Sequence, residues 1–97
     1  MKLRFTPRAV EIIAAIADYI RLHNPAAAQR VRSAIYDSLQ NLILFPHAGH
    51  AQQTRDVRKL VSRKYNYLIY YTLDDGADEL VVLSVKHPAQ EREHEDV

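Results

Sequence analysis

Two short signals constrain this chain more than anything else in it: Thr6-Pro7 and Asn24-Pro25. Each pairs a residue that caps a helix N-terminus with a proline at the first helical position, where the missing N–H is not needed. After the first, Val10, Ile13, Ala17 and Ile20 recur at spacings of three and four, which predicts a helix over about 7–22. After the second, Ala28, Val31, Ile35, Leu39 and Leu42 mark one face of a longer helix that Phe45-Pro46 stops. Two helices joined by only two or three residues must lie as an antiparallel hairpin.

The hydrophobic period changes on either side of that hairpin. Residues 2–6 (KLRFT) alternate and suit a short strand. Phe45 to Thr54 reads as a loop of about ten residues; 57–62 (VRKLVS), 65–73 (YNYLIYYTL) and 79–86 (ELVVLSVK) read as strands. The Asp74-Asp75-Gly76-Ala77-Asp78 segment has turn chemistry, and the tail at 89–97 is polar, either frayed or a short helix. The order is β-α-α-β-β-β: an α+β domain spanning 1–97, with the hairpin packed on a small, mainly antiparallel sheet. Its expected core sets Ile13, Ala17, Ile20, Val31, Ile35, Leu39 and Leu42 against Leu68, Val81, Leu83 and Val85.

Composition narrows the function classes. Ninety-seven residues suit one core. The chain has no cysteine, which excludes disulfides, thiolate metal sites and a cysteine nucleophile. No apolar stretch resembles a signal peptide or reaches membrane-spanning length, so a cytoplasmic location with no membrane partner is expected. The net charge of +1 conceals an asymmetry. Residues 1–64 carry eleven Lys/Arg against four Asp/Glu, and residues 65–97 carry two against eight. Arg55, Arg58, Lys59, Arg63 and Lys64 crowd into ten positions. Such a segment attracts nucleic acid or an acidic protein, or merely solvates a hairpin edge.

Conventional catalytic motifs are missing. His47-Ala-Gly-His50 lacks helical spacing and a neighbouring carboxylate, so no metal site is expected, and no cofactor. Gly49 and Gly76 stand alone, which leaves no phosphate loop, and neither Ser62 nor Ser84 sits in a nucleophile elbow. More informative is the cluster of cations, phenols and an imidazole on the last strands: Arg58, Lys59, Tyr65, Tyr67, Tyr70, Lys86 and His87. Alternation sends Arg58, Leu60 and Ser62 to one face and Val57, Lys59 and Val61 to the other. Tyr65, Tyr67, Ile69 and Tyr71 share one face of the following strand, opposite Asn66, Leu68, Tyr70 and Thr72. One face must meet the helices; the other is free to stack bases or hold phosphates.

Seven strings in order, FTPRA at 5–9, the helix end Tyr19-Ile20, NPAAA at 24–28, LILFPHAG at 42–49, VRKL at 57–60, YNYLIYY at 65–71 and VLSVKHPAQ at 82–90, resemble the RelE/ParE toxin superfamily. The resemblance spans residues 3 to about 90 and implies the same β-α-α-β-β-β fold. It implies a toxin of a two-gene type II toxin–antitoxin module, associated with plasmid stabilisation and growth inhibition, neutralised by direct binding of an antitoxin encoded beside it.

The superfamily divides by target. RelE-like members cleave messenger RNA on the ribosome with basic residues at alternate positions of one strand, an arginine in the next, and a catalytic group near the last strand's end. ParE-like members share the fold, lack that set and poison DNA gyrase. Here Arg58 matches the first basic position, but Leu60 stands where the second lysine belongs and Tyr67 where the arginine belongs. His87 lies near the C-terminal catalytic position with Pro88 after it. Each charged contact to a transition state is worth roughly 2–4 kcal/mol, so two missing cations remove several powers of ten in rate. The resemblance therefore implies a gyrase poison first and a messenger-RNA endonuclease using Arg58, Lys86 and His87 second. An inactive adaptor that keeps the fold is the third reading. Arg55, Arg58, Lys59, Arg63, Lys64 and Tyr67 are the expected target- or antitoxin-binding residues. An apolar groove between hairpin and sheet is expected to take the antitoxin tail, with Arg55, Arg58, Lys59 and Lys64 meeting its carboxylates.

Overall fold

The computed structural model describes residues 1–87; the tail at 89–97 lies outside them. The chain runs β1 (Lys2–Phe5), α1 (Pro7–His23), α2 (Pro25–Leu44), β2 (His50–Ala51), β3 (Arg58–Val61), β4 (Leu68–Asp74) and β5 (Glu79–Lys86). The five strands form one sheet in the order β1-β5-β4-β3-β2, antiparallel except where β1 pairs parallel to β5. The two helices pack on one face, which is the RelE/ParE-like arrangement expected.

Both cap signals work as the sequence implies. The Thr6 hydroxyl accepts from the Ala9 N–H at 3.1 Å. Asn24 ends α1 and begins α2 by itself: its N–H donates to the Ile20 carbonyl at 2.7 Å, and its Oδ1 accepts from the Ala27 N–H at 3.2 Å. The hairpin thus turns on one residue rather than two or three. Extended backbone at Asn24 (φ −160°, ψ 96°) breaks the helical run while its side chain satisfies the next one.

The core differs in phase from the expectation. Val10 is 55% exposed, and α1 instead offers Ala9, Ile12, Ile13, Ile16 and Ile20 to the core, with Ala17 half-buried beside them. The start of α1 is held by β5: the Thr6 N–H donates to the Val82 carbonyl and the Thr6 hydroxyl to the Leu83 carbonyl. That anchorage ties the start of α1 to the sheet, and Ala9, Ile12, Ile13, Ile16 and Ile20 form the buried stripe. On α2 the expected Val31, Ile35, Leu39 and Leu42 are all buried.

Across the sheet, Leu68, Val81 and Leu83 do not face the hairpin. The helix-facing rows are Leu73↔Leu80, Tyr71↔Val82 and Ile69↔Val85, continued by Leu60 against Ile69 on β3. A bulge between Tyr70 and Tyr71 gives β5 one extra residue, so that Leu80, Val82 and Val85 share a face despite a spacing of two and then three. Strict alternation from either end cannot foresee that. The opposite face carries a second cluster of Val57, Leu68 and Tyr70, with Leu83 packed against it.

Two strand boundaries also move. Tyr65 and Asn66 belong to the β3–β4 turn, both in the left-handed region (φ 65° and 54°), and β4 begins at Leu68. The loop expected over 45–54 contains the two-residue β2, whose His50 lies opposite Lys59.

Candidate functional site

The 45–50 loop is built around one phenol. Tyr71, wholly buried, donates its hydroxyl hydrogen to the Pro46 carbonyl at 2.7 Å and accepts from the Gly49 N–H at 2.9 Å. Burial raises the Tyr71 pKa, while the Gly49 bond and the nearby Arg58 charge partly oppose that rise. Gly49 has no room for a side chain, since a Cβ there would lie 2.6 Å from the Tyr71 oxygen. Arg58 sits opposite Tyr71 on the helix-facing side and donates to the Gly49 carbonyl at 2.7 Å and the His47 carbonyl at 3.4 Å. Its guanidinium is a staple for this loop.

The three groups proposed for ribonuclease chemistry are not brought together. Lys86 lies opposite Leu68, on the face away from the helices, with its ammonium 5.4 Å from the Tyr70 ring centroid. Arg58 is on the helix-facing side. His87 packs edge-on against Tyr67, ring centroids 5.5 Å apart. Tyr67 precedes the Tyr71–Arg58 row by four residues, about 13 Å along the strand. The departures Leu60 and Tyr67 are core positions: Leu60 packs on the main cluster, and Tyr67 belongs to it, with burial raising its pKa.

Nor does the basic run form one surface. Arg55 is exposed and pairs with Asp56 at 3.7 Å. Lys59 lies opposite Tyr70, on the face away from the helices, and Arg63 and Lys64 ride on the β3–β4 turn. No group of three or more His, Asp or Glu side chains gathers for a metal among the described residues.

Two grooves flank α2. One, of about 690 Å³, opens between the helices and is lined by Phe5, Val10, Ile13, Ala17, Tyr36 and Leu39, among others, with Asp18, Arg21, Arg32 and Asp37 at its rim. Its lining is mostly helical with Phe5 added from β1, and Arg55, Arg58, Lys59 and Lys64 do not line it. Val10 and Tyr36, the latter 59% exposed, supply apolar surface that hydropathy alone assigns to the core or leaves unassigned. The second groove, about 610 Å³, lies between α2 and the β3–β4 turn and is polar.

A helical hairpin on one face of a β1-β5-β4-β3-β2 sheet is the fold of the RelE/ParE class of toxins. The ParDE structure from Pseudomonas aeruginosa superimposes with a TM-score of 0.76 at 20% identity, covering 90% of this chain and 95% of that one. The intact Escherichia coli RelBE toxin–antitoxin complex gives 0.62 at 22%, covering 88% and 93%. In sequence the toxin-designated protein Y4kP of Sinorhizobium fredii is 29% identical over 90 residues, which is 93% of this chain and 91% of that protein. Residues 3–92 match the model of the ParE toxin of type II toxin–antitoxin systems, and the chain belongs to that family. It is a toxin of a type II toxin–antitoxin system. No helix among the described residues is long and apolar enough to cross a membrane.

Proposed function

We propose that this toxin acts by binding, as a poison of DNA gyrase, and that its cognate antitoxin restrains it by laying an amphipathic segment into the groove between α1 and α2. The observation that carries the first part is the dispersal of Arg58, Lys86 and His87 over two faces and about 13 Å of the sheet. Arg58, the one residue matching a nuclease position, spends its guanidinium on the Gly49 and His47 carbonyls. The apolar floor and charged rim of the helix–helix groove support the second part: exposed Val10 and Tyr36 gain burial from an apolar stripe at i, i+3/i+4, i+7.

The deciding experiment supplies purified toxin to gyrase and, separately, to translating ribosomes. Gyrase cleavage complexes should accumulate, and messages mapped on the ribosome should remain uncut. His87→Ala should retain toxicity within about tenfold, because loss of a proton-transfer group typically costs 10²–10⁴. Codon-positioned cleavage that disappears in His87→Ala, with supercoiling unaffected, would overturn the proposal in favour of messenger-RNA cleavage.

A further inference from the structure

The polar groove between α2 and the β3–β4 turn is where Arg63 and Lys64, two of the binding residues expected from the sequence, come to lie. Arg30 comes to it from α2, and Arg63 and Lys64 from the turn. None of these three cations has a carboxylate partner among the described residues, and Asp37 is the lone acid in the lining. Its floor is made of small α2 residues, Ala34 and Ser38, so an incoming chain can approach the helix closely.

The turn itself is held in a costly shape. Tyr65 and Asn66 both occupy the left-handed region, which a tyrosine rarely adopts. Ser62 enforces it: its N–H donates to the Tyr67 carbonyl at 2.8 Å, its hydroxyl donates to the Lys64 carbonyl at 2.6 Å, and that oxygen accepts from the Tyr67 N–H at 2.9 Å. The result is a rigid platform that presents two cations and the half-exposed Tyr65 ring to the groove. Strain held by the surrounding structure at a binding edge is a recurrent sign of use.

We infer that this groove binds a carboxylate-rich, extended segment of the antitoxin, as a second contact beyond the apolar groove. The inference rests on the antitoxin reading above. Charge complementarity argues for it: three cations with no carboxylate partner among the described residues, against one acid in the lining. So does continuity, because Gln29, Ser33 and Asp37 line both grooves and α2 alone separates them. One partner chain can lie between the helices, cross α2 and finish against the turn. A phosphodiester strand fits less well, since the lining offers its bases one aromatic ring, Tyr65, to stack on.

The test uses the full-length toxin, the antitoxin encoded beside it, and a ten-nucleotide single-stranded RNA as the competing probe. Arg63→Glu/Lys64→Glu and, on a separate element, Arg30→Glu are first checked for wild-type melting. At low salt each should weaken antitoxin binding about tenfold, mainly through the association rate. The deficit should shrink at 300 mM salt, where the screening length is well under 10 Å. Unchanged antitoxin kinetics in both folded variants would overturn the groove assignment alone. Loss of RNA binding with antitoxin binding intact would overturn it in favour of nucleic acid. Absence of antitoxin binding to the wild type would instead bring down the antitoxin reading, and this inference with it.

Discussion

Replacing Tyr71 by Phe removes one oxygen and leaves the ring's packing in place. That oxygen serves two partners, the Pro46 carbonyl at 2.7 Å and the Gly49 N–H at 2.9 Å. Gly49 is buried under the ring, so its N–H has no route to water without opening the loop. An unsatisfied buried group costs about 1–3 kcal/mol, and a loop that relaxes partway recovers some of it. A net loss of about 2–4 kcal/mol is expected from a total of about 5–15 kcal/mol. For a domain of this size that lowers Tm by roughly 10–25 °C. Urea titration should show the same loss in midpoint with an unchanged m-value. Tyr36→Phe, on an exposed phenol, is the control and should shift Tm by no more than a degree or two. The same hydroxyl predicts an alkaline limb. Burial raises the Tyr71 and Tyr67 pKa values in the folded state. Their contribution is therefore full below the unfolded value near 10 and is lost as pH climbs through the raised folded values. The wild type should lose Tm steeply above pH 10, and Tyr71→Phe less steeply. A Tyr71→Phe Tm within 2 °C of wild type would refute the reasoning.

Other consequences are measurable on the same protein. Ile35→Ala and Leu39→Ala, each truncating a buried α2 side chain on the main cluster, should cost about 2–5 kcal/mol in denaturant unfolding. Val10→Asp, on exposed surface, should leave stability within about 0.5 kcal/mol while weakening antitoxin capture in a pull-down. Thr6→Ala should cost about 1 kcal/mol through the lost cap to Ala9, as read by thermal melts. Arg58→Ala should lower both Tm and toxicity, because one guanidinium nitrogen, Nη1, donates to both the Gly49 and the His47 carbonyls; Arg58→Lys should recover part of the loss in Tm.

The helical hairpin was readable before any coordinates, because its signals are local. A capping side chain followed by proline acts within four residues, and Thr6 and Asn24 do so wherever the rest of the chain goes. The apolar stripe of α2 was readable for the same reason: one helix with one buried face keeps its period. Strand identity was also local, since β4 and β5 are dense in branched and aromatic residues. Leu60 and Tyr67 are similar: a residue without a cation supplies no positive charge to a phosphate in any fold.

Tertiary structure decided the rest, and in each case a distant partner was responsible. Two apolar stripes compete on α1, and packing against the sheet selects Ala9, Ile12, Ile16 and Ile20, which leaves Val10 exposed where its spacing alone put it in the core. The face shown by Leu83 depends on a bulge that exists only when β4 and β5 are paired, so alternation along β5 could not reveal it. Arg58 reads as a free cation in the sequence; the phenol opposite it and the loop folded over both turn it into a structural staple. The cations of residues 55–64 looked like one patch because neighbours in sequence share a patch only if the chain between them does not turn. The β3–β4 turn at Ser62–Tyr67 carries Arg63 and Lys64 away from Arg58 and toward Arg30 on α2, a neighbour that no local pattern could supply.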